Sequence, residues 1–308
     1  MSQSLKTVVH VWAAETGFTR IATLTPFNPR LYHKCAAHSI AENYQQPAAA
    51  LLVAALPYGN QGCADKLGDE AVPPNGAWIA PFARRNYYRE AVKRLQALAR
   101  RLREQYGGVK ADFRILCNSP VPEKPLAVAS GLGCRGRNGL IITAEAGSLC
   151  VLAAMTLPYA LEPEPHPEQA APCVRCDAAR PPCVAACPTG ALRGDGSLDT
   201  ARCIQWYASG NGDRVPSIVA EKWGRRLYGC TLCQDACVHN HRPIQGIFST
   251  EGPLPAYFDA RELIAMRDAD LSALFKGTAL GLSWLGPAAI RRNALLALEN
   301  TGNAYFQA

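Results

Sequence analysis

The chain has 308 residues, enough for about two domains and a buried core. Hydrophobic residues make up 48% and charged residues 19%, with Gly and Pro dispersed and no repeat, which excludes disorder, collagen and coiled coil. The formal charge of +7 is local: residues 84–110 carry nine Lys or Arg against two Glu, so the rest of the chain sums to zero. No apolar run reaches the ~20 residues a membrane helix needs. The first residues show no credible A-x-A cleavage site, so a cytoplasmic protein is expected.

In chain order, apolar β-favouring runs at residues 48–56, 113–116 and 140–143 predict strands. Between the first two, Tyr88, Val92, Leu95, Ala99 and Leu102 recur at helical spacing, and Gly107 with Gly108 ends the pattern. The other face of that helix carries most of the basic charge. A solvated face is the plain reading, and contact with an anionic partner such as RNA is the alternative. Strands mixed with helices predict an α+β domain over residues 1–161. The acidic, proline-rich stretch EPEPHPEQAAP at residues 162–172 then reads as a linker.

Thirteen cysteines are unevenly spread. Five are scattered over the first half, and eight crowd between Cys173 and Cys237. Grouped cysteines at short spacings in a cytosolic chain point to metal rather than disulfides. Cys173, Cys176, Cys183 and Cys187 read C-x2-C-x6-C-x3-C, with Pro188 following; Cys203 precedes Cys230, Cys233 and Cys237, which read C-x2-C-x3-C. Short loops let successive thiolates converge on one cubane, and in two-cluster ferredoxins the cysteine before such a proline ligates the other cluster. Cys173, Cys176, Cys183 and Cys237 are therefore expected on one 4Fe-4S cluster, and Cys187, Cys203, Cys230 and Cys233 on a second. Zinc is the competing reading, but zinc sites favour separate C-x2-C pairs and have no use for the C-x3-C-P ending.

Residues 173–245 thus read as a ferredoxin-like double-cluster domain. Beyond it, Leu263, Ile264, Leu271, Leu274 and Phe275 predict a helix pair, and Pro287 opens a last helix through Leu298. Residues 246–308 form a helical segment that must dock onto what precedes it, because a lone amphipathic helix has nothing to pack on.

Several stretches together resemble the epoxyqueuosine reductase family, cobalamin and iron-sulfur enzymes that complete queuosine in transfer RNA. They are residues 49–58 (AALLVAALPY), 79–95 (IAPFARRNYYREAVKRL), 120–139 (PVPEKPLAVASGLGCRGRNG), both cysteine sets, and 288–302 (AAIRRNALLALENTG). Reductive dehalogenases share the broader arrangement. The resemblance implies a corrinoid held between the α+β domain and the cluster domain, with electrons from a flavodoxin- or ferredoxin-type donor passing through both clusters to cobalt. It places the cobalamin contacts on the glycine-rich segment: Gly131, Leu132, Gly133, Cys134, Gly136, Arg137 and Asn138.

Three departures from the family stand out. Its proton-donating carboxylate precedes the P-V-x-E-K stretch, where this chain has Cys117, the expected catalytic residue, followed by Asn118 and Ser119. Its second cysteine set ends in C-P-W-N, where this chain has Cys237, Val238, His239 and Asn240. Its helical repeats, which help grip transfer RNA, are expected to be cut short here, making this a short form. Transfer RNA is accordingly a doubtful partner, and a smaller or diverged substrate is expected. An electron-transfer protein that activates a corrinoid partner, or a non-catalytic cluster protein, are the alternatives. Cys35, Cys63 and Cys150 are expected to pack in the interior. His33, His38 and His166 show no metal-type pairing, and His239 and His241, which flank Asn240, are expected in solvent.

Overall fold

A computed structural model describes residues 4–32, 46–58, 72–162, 172–177, 179–241 and 253–302. Cys35, Cys63, His33, His38, His166 and most of the expected linker lie outside the described residues. The first apolar run forms strand β2 (Ala50–Pro57), all of whose residues are buried. Helix α1 (Leu5–Glu15) and strand β1 (Arg20–Leu24) precede it. After it come β3 (Gly76–Ile79), helix α2 (Tyr87–Tyr106), β4 (Ile115–Leu116), α3 (Glu123–Ala129), the hairpin strands β5 (Cys134–Arg135) and β6 (Ile141–Ile142), and β7 (Cys150–Leu157).

A central antiparallel sheet has the order β1-β2-β7-β4. Because side chains alternate along a strand, β2 serves two cores. Leu52, Ala54 and Leu56 pack with Val9 of α1 and Leu95 and Leu98 of α2, while Leu51, Val53 and Ala55 pack with Leu126 of α3. A strand covered on both faces reads as an unbroken apolar run, as β2 does.

Asn86 caps α2 by accepting the Arg89 N–H at 2.9 Å, and Gly107 ends it at φ +83°. The buried face runs through Tyr87, Ala91, Leu95, Leu98, Ala99 and Leu102. The expected Tyr88 and Val92 sit beside it, because the small Ala91 lets the helix approach the sheet. Two of the helix's basic residues fasten α1: Arg94 donates to the Thr16 carbonyl at 2.6 Å, and Arg101 reaches Glu15 at 2.6 Å while lying 3.8 Å over the Trp12 ring.

The cluster segment carries short elements: α4 (Pro182–Ala185), α5 (Ile204–Ala208), α6 (Ser217–Ala220), β8 (Arg226–Tyr228) and α7 (Leu232–Asp235). Strand β9 (Tyr257–Asp259), α8 (Ala260–Ala265), α9 (Asp268–Phe275) and α10 (Pro287–Glu299) follow, matching the expected helix pair and final helix. The boundary expected near residue 162 is crossed by β3, which lies between β8 and β9 in a second sheet of order β8-β3-β9. Ala77 and Ile79 therefore share a core with Leu227 and with Ile290 and Ala294 of α10. Asn293 of α10, fully buried, donates to the carbonyls of Ala208 and Leu227, both at 3.0 Å, and so docks the tail onto the cluster segment. Among the described residues no helix is long and apolar enough to cross a membrane.

Candidate functional site

Four of the eight grouped cysteines lie in or just after two similar one-turn helices that pack on each other. Cys183 lies in α4 and Cys187 just beyond its end; Cys233 lies in α7 and Cys237 just beyond its end. In a continuous helix residues four apart would share one face. Both helices stop at the third residue after their internal cysteine, so the chain turns between the two thiols and sends them to different cavities. Cys173, Cys176, Cys183 and Cys237 line one small cavity together with Arg137 and Asn138. Cys187, Cys203, Cys230 and Cys233 line a second, larger one.

Electrostatics follows the same division. Burial and the neighbouring thiols of Cys183, Cys173 and Cys176 push the Cys237 thiol up, whereas burial and Cys230, Cys203 and Cys187 push up Cys233. Cys183 also acts on Cys233, so the two cavities abut. Backbone N–H groups point at the sulfurs: Arg137 N–H lies 3.4 Å from Cys173 Sγ, and Ala191 N–H lies 3.3 Å from Cys187 Sγ. Among the described residues no three His, Cys, Asp or Glu side chains are drawn together as a single metal ion would require. What each set of four shares is the wall of a cavity.

The larger cavity, about 390 Å³, separates the cysteines from the first half of the chain. Its opposite wall is built by Tyr58 at the end of β2, Tyr88 of α2, Asn118 after β4, Glu123 and Lys124 of α3, and Val151 of β7. Asn118 is in the left-handed region at φ +50°, a conformation Asn tolerates better than most residues. That turn redirects the chain from β4 towards α3 and presents Asn118 to this cavity and to a neighbouring one of about 300 Å³. The neighbour is reached past Phe82, Tyr88 and Gln205 and has Arg85, Asn211 and Trp284 on its far side.

The two halves are joined beside this cavity by a buried polar network. Asn240 Oδ1 accepts the Ser148 N–H at 2.7 Å, and its Nδ2 donates to Ser148 Oγ at 3.0 Å and to the Gln234 carbonyl at 2.8 Å. Gln234 Nε2 donates to Tyr58 Oη at 2.6 Å and to the Ser148 carbonyl at 2.8 Å. Since Gln234 stands between Cys233 and Cys237, the network holds ligand-bearing backbone against the central sheet. His241 is exposed, as expected, with its Nε2 2.8 Å from the Asp235 carbonyl, whereas His239 is half-buried and joins the wall of the smaller cavity.

The expected cobalamin residues divide. Asn138 lines both cavities, is 6% exposed, and leaves its Nδ2 without an acceptor while its Oδ1 takes the Leu140 N–H at 3.2 Å. Arg137 reaches only the smaller cavity. Gly131, Leu132, Gly133, Cys134 and Gly136 belong to neither wall. The glycines are needed for protein packing instead: a Cβ on Gly133 would lie 2.6 Å from the Ile142 carbonyl oxygen, and one on Gly136 2.7 Å from Ile142 Cδ1. Leu132 is a core residue packed with Leu126. Cys150, expected in the interior, lines the larger cavity.

Cys117 stands just behind that cavity. Its thiol points at the carbonyls of Tyr88 and Leu152, at 3.8 and 3.7 Å, and burial, helped by Glu123, pushes it up to about 12. Tyr58, Tyr88, Asn118, Glu123 and Lys124 were not singled out by the sequence reading. The signal for the last two was present, since both lie within the P-V-x-E-K stretch.

Residues 172–240 match the model of a 4Fe-4S double cluster binding domain. The chain is 32% identical over 242 residues to an epoxyqueuosine reductase from Gloeobacter violaceus, spanning 76% of this chain and 73% of that one. It is 31% identical over 227 residues to the enzyme of that name from Francisella cf. novicida, covering 70% of this chain but 59% of the relative; for the Vibrio cholerae enzyme, 29% identical, the relative's covered share is 60%. The chain thus spans about three fifths of the length of these last two. Among solved structures, it resembles an epoxyqueuosine reductase from Bacillus subtilis in which a catalytic aspartate loop is swung out of the active site, with TM-score 0.77 at 24% identity over 98% of this chain and 83% of that one. Another epoxyqueuosine reductase, bound to an epoxyqueuosine-modified tRNA stem loop, gives TM-score 0.77 at 24% identity over 97% and 82%. Eight cysteines sorted into two cavities, a double-cluster domain and a common architecture agree with this sequence identity, and the chain belongs to the epoxyqueuosine reductase family.

Proposed function

We propose that this chain is a cobalamin-dependent iron-sulfur reductase that removes the oxygen of an epoxide, with tRNA-borne epoxyqueuosine as the substrate to test first. The observation that carries the reading is the 390 Å³ cavity, with four cysteines on one wall and Tyr58, Tyr88, Asn118 and Glu123 on the other. Its size falls within the usual range of small-molecule sites, about 300–1,000 Å³. The cofactor assignment of the cysteines stays as expected: Cys173, Cys176, Cys183 and Cys237 for one cluster, and Cys187, Cys203, Cys230 and Cys233 for the cluster facing the cavity.

The residues present fit a corrinoid. The buried Nδ2 of Asn138 has no acceptor among the described residues, and leaving such a donor unpaired costs about 1–3 kcal/mol. A corrin is rimmed with carboxamide oxygens that would accept it. Bound there, cobalamin supplies a strongly reducing, nucleophilic metal centre, while the protein supplies orientation and exclusion of water. The apolar side of the cavity, with Leu140, Ile141, Val151 and Leu152, keeps water out. Lys124 ties α3 to the glycine segment by donating to the Gly139 carbonyl at 2.9 Å, which fixes Asn138 beside the opening.

The overall change balances simply. Both C–O bonds of the epoxide break, the carbon pair becomes an alkene, and the oxygen leaves as water after taking up two protons. The two electrons come from a low-potential one-electron donor of ferredoxin or flavodoxin type and travel through the clusters. The 300 Å³ cavity beyond Tyr88 and Asn118 is the approach for the substrate, with Arg85 and Trp284 in its wall.

The test uses anaerobically prepared, cluster-replete protein. Titration with hydroxocobalamin should give saturable, stoichiometric binding with an altered absorption spectrum. Addition of a low-potential reductant and epoxyqueuosine-containing tRNA should yield queuosine over many turnovers by mass spectrometry. Absence of cobalamin binding would leave an electron-transfer role, and binding without turnover would point to another substrate.

A further inference from the structure

Glu123 is the one carboxylate in the wall of the larger cavity among the described residues. It opens α3, and its Oε1 accepts the Ser119 N–H at 3.2 Å. Three titratable groups are near enough to couple to it electrostatically: Lys124 on its own helix, Cys117 at the end of β4, and the Tyr88 phenol from α2. Burial raises its pKa above the ordinary carboxylate value, against the lowering effect of the backbone N–H groups of Ser119 and Asn118 and of the Lys124 charge. A carboxyl in the wall of a reaction cavity, anchored through one oxygen by a backbone N–H and with its acidity lowered by burial, is placed to act as a general acid.

Cys117 has the opposite properties. It lies behind the cavity wall, its thiol is directed at two backbone carbonyls, and with a pKa of about 12 it is too weak an acid to give up its proton near neutral pH. Tyr88 does line the cavity, but burial likewise pushes its phenol up to about 12.

We propose that Glu123 is the catalytic acid of this chain, giving its proton to the oxygen that leaves the substrate. The inference rests on the epoxide-reductase reading above. In the step, the Glu123 O–H bond breaks and an O–H bond forms on the departing oxygen as its C–O bond cleaves. The electrons arrive from the ferredoxin- or flavodoxin-type donor, the second proton comes from water, and the Glu123 carboxylate is reprotonated by water between turnovers.

Two measurements test it on cluster- and cobalamin-loaded protein. The first is the infrared difference spectrum of wild type against E123Q, followed as a function of pH. A protonated-carboxyl band absent from E123Q should titrate above the ordinary Glu value of about 4.3; a carboxyl that titrates at or below that value overturns the assignment. The second is turnover. E123Q should lose about 10²-fold or more in rate with cluster content and cobalamin affinity unchanged, and E123D should recover part of the rate with a shifted pH profile. An E123Q variant with the wild-type rate and pH profile overturns the proposal, whatever the infrared result. Wild type that loads both cofactors but reduces no epoxide overturns the function proposed above instead, and Glu123 is then decided by the titration alone.

Discussion

Replacing Asn240 by Ala removes the side chain that joins the two halves of the molecule. Asn240, Ser148 and Gln234 are 1, 4 and 6% exposed, so water does not replace what is lost. The Ser148 N–H, bonded at 2.7 Å, and the Gln234 carbonyl, bonded at 2.8 Å, would each be left without this partner. The Gln234 carbonyl keeps the Cys237 N–H at 3.1 Å, so the Ser148 N–H is the group left unsatisfied, at a cost of about 1–3 kcal/mol. At about 2 °C per kcal/mol for a chain of this size, Tm of the cluster-replete protein should fall by roughly 2–6 °C. Asn240→Asp keeps an oxygen for the Ser148 N–H but loses the donor to both Ser148 Oγ and the Gln234 carbonyl and buries a carboxyl, so its Tm should also fall, and further at a pH where that carboxyl ionises. Anaerobic thermal unfolding followed by circular dichroism, with iron content measured in parallel, reads both. A shift below about 2 °C in Asn240→Ala would refute the idea that this network carries the interface.

Cys187→Ala should halve the iron, from about eight to about four per chain, and the surviving cluster should be the one held by Cys173, Cys176, Cys183 and Cys237; electron paramagnetic resonance distinguishes which is lost. Gly133→Ala forces a Cβ to within 2.6 Å of the Ile142 carbonyl oxygen, and should cost about 1–3 kcal/mol as overpacking, measurable by denaturant unfolding, with cobalamin affinity of the folded fraction unchanged. Glu123 also predicts a pH dependence. Its folded pKa is raised, so the folded state keeps a proton that the unfolded chain releases near pH 4.3 or thereabouts, about the ordinary Glu value. Stability of the wild type relative to E123Q should therefore fall as pH rises from there through the folded pKa and then level off; a wild-type advantage that shrinks on acidification would contradict the burial argument. Arg101→Ala should cost about 1 kcal/mol or less, since the Glu15 pair is half exposed, despite the contact with Trp12.

Local signals were legible where the physics is local. The terminal glycine of α2, the all-apolar β2, the helices α8 to α10 and the two cysteine sets follow from spacing and residue type alone. The phase of α2 was less legible: Tyr87 and Ala91 face the core rather than Tyr88 and Val92, because which side of an amphipathic helix is buried depends on the shape of the sheet it meets.

Other features depend on pairing across long separations. The strand character of β7 rests on its eight-residue register with β2, from Ala50 opposite Leu157 to Pro57 opposite Cys150. The mixing of domains rests on β3 pairing with β8 and β9, so a boundary drawn from the proline-rich stretch cuts a sheet. The glycine segment illustrates the same limit: its composition suits close approach to a ligand or close approach to protein, and only the position of Ile142 selects the second for Gly133 and Gly136. By itself the sequence determined the metal-binding chemistry, the family and most helices, since these depend on residue type at short range. The tertiary structure alone decided that Glu123, and not Cys117, faces the cavity. Both lie within seven residues of one another, and it is the left-handed turn at Asn118 that aims the chain so that one side chain enters the site and the other is held behind it.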